Sequence, residues 1–352
     1  MVLRAARHPP AVRLWPPPCP GLAALPLRVR RPAMDAWAGR RGLLARQGRN
    51  MGRETWVVIY FSYFCAYVAA ALRSPGAYSN KMKQVKPKKN LGQHFLTDLN
   101  IARRIADTVD ACPGIPVLEI GPGMGVLTQY LVQKPREVRA VEIDSESVRY
   151  LHEAYPQLRD RIIGEDFLRM DLARLFDGQP FVLTGNYPYD ISSQIFFKML
   201  DNKDLIPCCT GMIQREVAQR MASAPGTKAY GILSVLVQAW YDVEYLFTVD
   251  EDVFNPPPKV KSAVIRMTRN AVTSLGCDET LFRRVVKTVF NQRRKMLRVS
   301  LRQFFSKASM PGPDFFARDM MTRRPEQLSI AEFVGLTNWI AEEQARRKGD
   351  EA

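Results

Sequence analysis

The stretch Pro116-Val-Leu-Glu-Ile-Gly-Pro-Gly-Met-Gly-Val-Leu-Thr128 decides the fold. A short apolar run meets three glycines at alternate positions, and an apolar helical pattern starts near Val126. Glycines at 121, 123 and 125 let the backbone approach a ligand closely and adopt conformations closed to other residues. A glycine turn between a strand and a helix predicts an α/β protein with a nucleotide-type site at the end of a parallel strand. A tight turn without a ligand is the competing reading.

The next strand supports a ligand. Glu137-Val-Arg-Ala-Val-Glu-Ile-Asp144 has an apolar centre and an acidic end, and Glu142 lies 21 residues after Gly121. An acid at that spacing suits a ribose diol. Ile162-Ile-Gly-Glu-Asp166-Phe167 ends another strand. It places Asp166 to accept from an adenine amino group, with Phe167 beside the ring. Taken alone, these residues could hold a nicotinamide dinucleotide as readily as S-adenosylmethionine. The loop reads Gly-Pro-Gly-Met-Gly, however, and lacks the spaced third glycine that suits a pyrophosphate. An adenosine without phosphates fits the acidic strand ends better.

Phe181-Val-Leu-Thr-Gly-Asn-Tyr-Pro-Tyr-Asp190 follows. It reads as a buried strand, Phe181 to Thr184, running into a polar and aromatic turn. Asn186 offers a side-chain carbonyl, Tyr187 a peptide carbonyl fixed by Pro188, and Tyr189 a ring face. Two acceptors and a stacking ring can grip the exocyclic amine of adenine. The amine's lone pair is delocalised into its ring, so catalysis here rests on positioning and electrostatics. No strong general base is required, in keeping with the absence of a His or Lys near this turn in the sequence.

Composition bounds the rest. The chain has 352 residues and a formal charge of +16, enough for two domains and weighted towards a polyanionic partner. Residues 1–80 hold twelve Arg, no Lys and two acids, and so carry +10 of that charge. Trp56 to Leu72 runs for 17 residues without a charge, near the lower limit of a membrane span. A membrane anchor, an Arg-rich presequence and sequence outside the functional protein compete for this region. The abrupt run of lysines from Lys81 favours the last, with Met82 as the start. Six cysteines without Cys-x-x-Cys, and three histidines, predict no metal and a reducing, cytoplasmic setting. A true presequence would make the location mitochondrial.

Five motifs then occur in order: Lys89-Asn-Leu-Gly-Gln-His-Phe-Leu96, the Asn186 turn, Gln214-Arg-Glu-Val-Ala-Gln-Arg220, Phe254-Asn-Pro-Pro-Pro-Lys-Val-Lys-Ser-Ala-Val264 and Phe290-Asn-Gln-Arg-Arg-Lys-Met-Leu-Arg298. Together they resemble the ribosomal RNA adenine dimethyltransferases of the KsgA (RsmA) type, over residues 83–345. The resemblance implies a Rossmann-like class I methyltransferase domain at 82–270 and a small helical RNA-binding domain at 271–352. It implies transfer from S-adenosylmethionine to N6 of two adjacent adenosines near the 3′ end of 16S ribosomal RNA, by a monomer that needs no membrane. His94 and Leu96 are then expected to border the cofactor, Gly121 to meet its amino-acid portion, Glu142 to hold the ribose and Asp166 the adenine. Asn186 is expected between cofactor and target base. The family has Leu where Tyr187 stands, so a Tyr side chain could alter the pocket wall.

Phe254 is expected at the entrance of the target pocket, against the base face opposite Tyr189. Residues 275–345 read as helices, with Leu281, Val285, Val289, Met296 and Leu297 near helical spacing. Arg293, Arg294 and Lys295 suggest phosphate contacts, joined by Lys86, Lys88 and Lys89. Leu328-Ser-Ile-Ala-Glu-Phe333 predicts a capped last helix. A sister enzyme of the Erm type acting on 23S ribosomal RNA, or a non-catalytic RNA-binding assembly factor on the same fold, are the alternatives.

Overall fold

Apolar runs bounded by turns become the strands of a central sheet in the computed structural model, which describes residues 85–88, 91–306 and 310–350. The Trp56–Leu72 run, Lys89, Cys19 and Cys65 lie outside the described residues. Strands β1 (Phe95–Leu96), β2 (Val117–Ile120), β3 (Val138–Val141), β4 (Ile162–Ile163), β5 (Val182–Asn186), β6 (Cys208–Gln214), β7 (Tyr241–Val249), β8 (Phe254–Asn255) and β9 (Ser262–Arg269) follow in chain order. The main sheet has the order β4-β3-β2-β5-β6-β9-β7. Neighbours from β4 to β6 are parallel, and β9 and β7 join antiparallel.

All four residues of β2 are buried, as are Val182 to Gly185 of β5. Parallel strands covered on both faces need such continuous apolar runs. The outermost strand β7 alternates and carries an irregularity between Tyr245 and Phe247, as edge strands do. Chain order reverses between β2 and β5, so a crevice opens outside their carboxyl ends. There β5 runs past the expected Thr184 to Asn186. Gly185 permits this: a Cβ on it would lie 2.5 Å from the Ile120 carbonyl oxygen.

Aspartates start the helices where the sequence supplies them. Asp98 accepts from the Asn100 and Ile101 amides to begin α1 (Leu99–Asp107). After the glycine loop, α2 (Thr128–Leu131) begins two residues later than expected, because tight turns such as Gly125 N–H to Pro122 O come first. Asp144 caps α3 (Ser145–Ala154). Then follow α4 (Ser192–Asp201), α5 (Arg215–Met221) and α6 (Ile232–Gln238).

Beyond the sheet come α7 (Glu279–Asn291), α8 (Leu297–Ser300), α9 (Pro313–Ala317) and α10 (Ile330–Asp350). Phe282, Val285, Val286, Val289 and Phe290 bury one face of α7. They share an apolar cluster with β5, β6, α4 and α6. Met82–Ala352 group as one compact unit. Met296 is 40% exposed, against expectation, because α7 stops at Asn291 and the helical period does not carry across the turn. The last helix begins as expected: Ser329 N–H donates to Glu332 Oε2 at 2.8 Å and Glu332 N–H to Ser329 Oγ at 3.3 Å.

The described cysteines are free, and no group of His, Cys, Asp and Glu among the described residues could hold a metal ion. No described helix is long and apolar enough to cross a membrane.

Candidate active site

The glycine loop is squeezed from two sides. A Cβ on Gly123 would sit 2.9 Å from the Phe95 ring, and one on Gly125 only 2.3 Å from the Tyr155 ring. Both have positive φ, +56° and +78°. Tyr155 Oη also donates to the Gly125 carbonyl at 2.8 Å, so the ring that excludes a side chain there braces the loop. Nothing in the spacing of Tyr155 announces this contact.

Behind the loop lies a set of acids. Glu142 directly follows β3 and is buried; Oε2 accepts from the Gly123 amide at 3.0 Å and Oε1 from the Asp144 amide at 2.9 Å. Burial pushes its carboxyl above the ordinary value, and these two amides work against that shift. Asp166 follows β4, and its Oδ1 accepts from the Leu168 amide at 2.9 Å. Glu119, which the sequence reading did not single out, is 1% exposed in the middle of β2. Thr128 Oγ1 donates to it at 2.7 Å, and burial raises its carboxyl to about 8. Its signal in the sequence is an acid inside an apolar strand.

These residues border a cavity of about 240 Å³ at the switch point. His94, Leu96, Gly121, Glu142, Asp166, Asn186, Tyr187 and Tyr189 all line it, so the predicted cofactor and catalytic residues converge. Its acids are Glu119, Glu142, Glu165, Asp166 and Asp190, and no Lys or Arg is among its lining residues. That donor set disfavours a pyrophosphate and suits a cationic ligand bearing hydroxyls and an amine.

Asn186 projects from the end of β5. Its Nδ2 donates to the His94 carbonyl at 3.1 Å. A carbonyl only accepts, so the amide orientation is set and Oδ1 is turned away from His94 with its lone pairs available.

Tyr187 corrects the expectation of an altered pocket wall. Its ring is fully buried in the core, edge-on to Phe196 at 5.8 Å. Its hydroxyl donates to the Thr210 carbonyl at 2.9 Å, beside Cys209 Sγ at 3.3 Å. Burial holds the phenol well above its ordinary range. The ring fits because residue 211 is glycine: a Cβ there would meet Tyr187 Cε2 at 2.7 Å. The Tyr187 amide also donates to the Met212 carbonyl at 3.0 Å, so this residue is tied to β6 at both ends.

Tyr189 stands on a three-residue 3-10 turn, Tyr189–Ile191, half-buried. Its ring lies 5.6 Å from that of His94, centroid to centroid and 26° from parallel. His94 Nδ1 is 2.8 Å from the Pro256 carbonyl, which requires the proton on that nitrogen. A histidine therefore does stand at the turn, against the reading from sequence distance: its carbonyl meets Asn186 and its ring Tyr189, while the β1–β8 pairing sets it beside Pro256.

That pairing also places Phe254, which is 4% exposed opposite Leu96 and packs in the apolar cluster behind the cavity. It is not among the lining residues, so it does not face a base from the side opposite Tyr189; the ring stacked on Tyr189 is that of His94. Lys88 is likewise engaged elsewhere: its ammonium is 2.6 Å from Asp144 and 3.6 Å from Glu146. Burial raises the Asp144 carboxyl, and the Lys88 contact with its cap bonds outweighs this and holds it low.

Arg293, Arg294 and Lys295 occupy the turn after α7, with Arg294 and Lys295 exposed. Arg293 donates to the Thr227 carbonyl at 3.3 Å and lies 3.7 Å from Glu326. A broad hollow at this place brings Arg293 and Arg294 together with Arg220, Lys228 and Arg324. The last three come from separate segments and were not distinguishable in the sequence from solvated surface charges.

The family model of ribosomal RNA adenine dimethylase matches residues 84–342. The ribosomal RNA small subunit methyltransferase A of Bacteroides thetaiotaomicron is 68% identical over 261 residues, 74% of this chain and 96% of its own length. That of Flavobacterium johnsoniae is 54% identical over 260 residues, 74% of this chain and 97% of its own. Among solved structures, a dimethyladenosine transferase from Plasmodium falciparum has a TM-score of 0.61 at 23% identity, covering 71% of this chain and 98% of the other. The 23S rRNA methyltransferase ErmE has a TM-score of 0.50 at 27% identity, covering 68% and 99%.

Proposed function

This chain belongs to the ribosomal RNA adenine dimethylases, and from that premise we propose that it methylates N6 of two adjacent adenosines near the 3′ end of 16S ribosomal RNA in the small subunit. It is an S-adenosylmethionine-dependent enzyme acting on ribosomal RNA. The observation that carries the site is the acid-lined cavity, free of Lys and Arg linings, beside the Asn186 turn. Bound S-adenosylmethionine supplies an electrophilic methyl group on a sulfonium.

The chain's own residues do the rest. Glu142 accepts from the ribose hydroxyls and Asp166 from the cofactor's adenine amine. Gly121 meets the amino-acid portion, and His94 and Leu96 close the near wall. Asn186 Oδ1 and the Tyr187 carbonyl accept hydrogen bonds from the two N–H groups of the target amine, which frees its lone pair as the nitrogen pyramidalises. Asn186 is preset for this by its bond to the His94 carbonyl, and Tyr187 by its two ties to β6. Preset acceptors need no reorganisation at the moment of reaction. Tyr189 stacks on the base, which must leave its own stack to enter. After the first transfer the methylated nitrogen releases one proton to solvent, so one N–H remains and a single acceptor serves the second transfer.

In this reading residues 82–270 form the methyltransferase domain and 271–352 the RNA-binding domain. Arg293, Arg294 and Lys295 contact phosphates, together with the basic side chains that share the hollow. Phe254 supports the entrance from behind by fixing β1. The protein acts in the cytoplasm as a monomer, without a metal.

The test is to incubate the full-length protein with methyl-labelled S-adenosylmethionine and with unmodified small and large ribosomal subunits, then map the label. Label on two adjacent adenosines near the 3′ end of 16S RNA is expected. Label confined to 23S RNA would move the assignment to the Erm type, and no label would favour a binding role alone.

A further inference from the structure

We propose that Ser262 is a positioning residue for the target base, acting through Tyr189. The inference rests on the reading of Tyr189 as the stacking platform. Ser262 opens β9 and is fully buried. It pairs with Gln214 of β6 and with Val249 of β7, so it sits where three strands meet. Its neighbour is pinned as well: the Lys261 carbonyl accepts from the Arg215 amide at 2.9 Å. A buried hydroxyl needs a partner. The partner of Ser262 Oγ is the hydroxyl of Tyr189, 73 residues away in the chain.

Tyr189 has reason to need such a tie. Its backbone is held in a short turn, with Ser192 Oγ donating to its carbonyl at 3.1 Å. The backbone does not fix the ring, since χ1 of an aromatic side chain has several staggered wells. His94 supports one ring face. A bond at the para oxygen, which lies on the χ2 axis, stops the ring swinging about χ1, while the His94 face sets its plane; stacking depends on the mutual orientation of two rings. The antiparallel edge of the sheet thereby sets the position of the ring against which the base lies. Position 262 falls inside the Phe254–Val264 motif, where the sequence alone gives it no partner.

The experiment uses full-length protein carrying Ser262→Ala, Tyr189→Phe, both together, or Ser262→Thr. Methyl transfer to unmodified small subunits is measured at limiting subunit concentration, and S-adenosylmethionine affinity by calorimetry. Each single removal is expected to lower kcat/KM for the subunit by about three- to tenfold, the range for one intramolecular hydrogen bond. The double variant should fall no further, because both changes delete the same bond. Cofactor affinity should stay within about twofold, and Ser262→Thr should restore the rate.

A double variant whose loss is the product of the two singles overturns the proposal. So does a Ser262→Ala protein whose cofactor affinity falls in step with its rate, or a Thr variant as poor as Ala. If the wild-type protein transfers no methyl group to ribosomal RNA, the functional reading fails and the tie is judged separately. NMR of ring-labelled tyrosine should then show one slowly exchanging hydroxyl proton in the wild type that is missing from both single variants. Its persistence in Ser262→Ala sinks the tie itself.

Discussion

In the proposed mechanism, replacing Asn186 by alanine removes one of two acceptors from the target amine and leaves the other, the Tyr187 carbonyl, in place. The loss of one preset hydrogen-bond partner in a transition state costs about 2.7–4 kcal/mol, or roughly 10²–10³ in rate. The same change deletes the bond from Nδ2 to the His94 carbonyl, a neutral pair at 3.1 Å. That bond stabilises the fold by about 0.5–1.5 kcal/mol, small beside the 5–15 kcal/mol of a typical domain. The protein should therefore fold and bind cofactor, with affinity reduced by less than about tenfold, while transfer collapses. Single-turnover methylation of unmodified small subunits gives the rate, and calorimetry gives the cofactor affinity. Asn186→Asp is the companion: it keeps an acceptor but turns a carboxylate towards the His94 carbonyl, so it should not rescue. Equal losses of cofactor affinity and rate in the alanine variant, or a rate loss under tenfold, would refute the assignment.

Tyr189→Ala should cost about 1–3 kcal/mol in subunit binding through lost base stacking, read as a rise in KM with cofactor affinity retained. Glu119 makes a pH prediction. Its carboxyl is raised from 4.5 to about 8 by burial, so the folded state holds the proton more tightly than the unfolded. The stability this gives is complete below pH 4.5 and is lost as pH rises through 8. Between pH 6 and 8 the loss reaches at most about 2.7 kcal/mol, two units at about 1.4 each. Denaturant unfolding across that range should show the decline in wild type and a flatter profile in Glu119→Gln. Gly211→Ala should destabilise strongly, because the new Cβ would lie 2.4 Å from the Gly185 carbonyl oxygen, which no rotamer change relieves; thermal unfolding reads this. Arg294→Ala with Lys295→Ala should weaken subunit binding and make its salt dependence shallower by roughly one to two in log–log slope. An unchanged slope identifies both as ordinary surface charges.

The strands were legible because their signal is local. A parallel strand buried on both faces must be largely apolar; Phe181–Leu183 shows it directly, and Val117–Ile120 does so apart from the buried Glu119. Local chemistry also exposed the glycine loop, Glu142 and Asp166 at strand ends, and the Asn186 turn. Less legible were residues whose position depends on a partner far along the chain. Phe254 reads as an exposed aromatic until the β1–β8 pairing buries it against Leu96. Lys88 reads as a candidate phosphate contact until Asp144, which caps α3, is found beside it. Met296 fails a helical pattern that ignores the break at Asn291.

By itself the sequence determined the inventory: an acid-ended α/β sheet, a glycine turn, two acceptors and a ring. Those follow from residue type and spacing, which act over a few residues. Tertiary structure decided the geometry that makes the inventory work. It turned the Tyr187 ring inward over Gly211, oriented the Asn186 amide by the His94 carbonyl, and tied Tyr189 to Ser262 across 73 residues. Such bonds depend on which strands lie side by side, and strand order is set by the burial of the whole sheet rather than by any one segment.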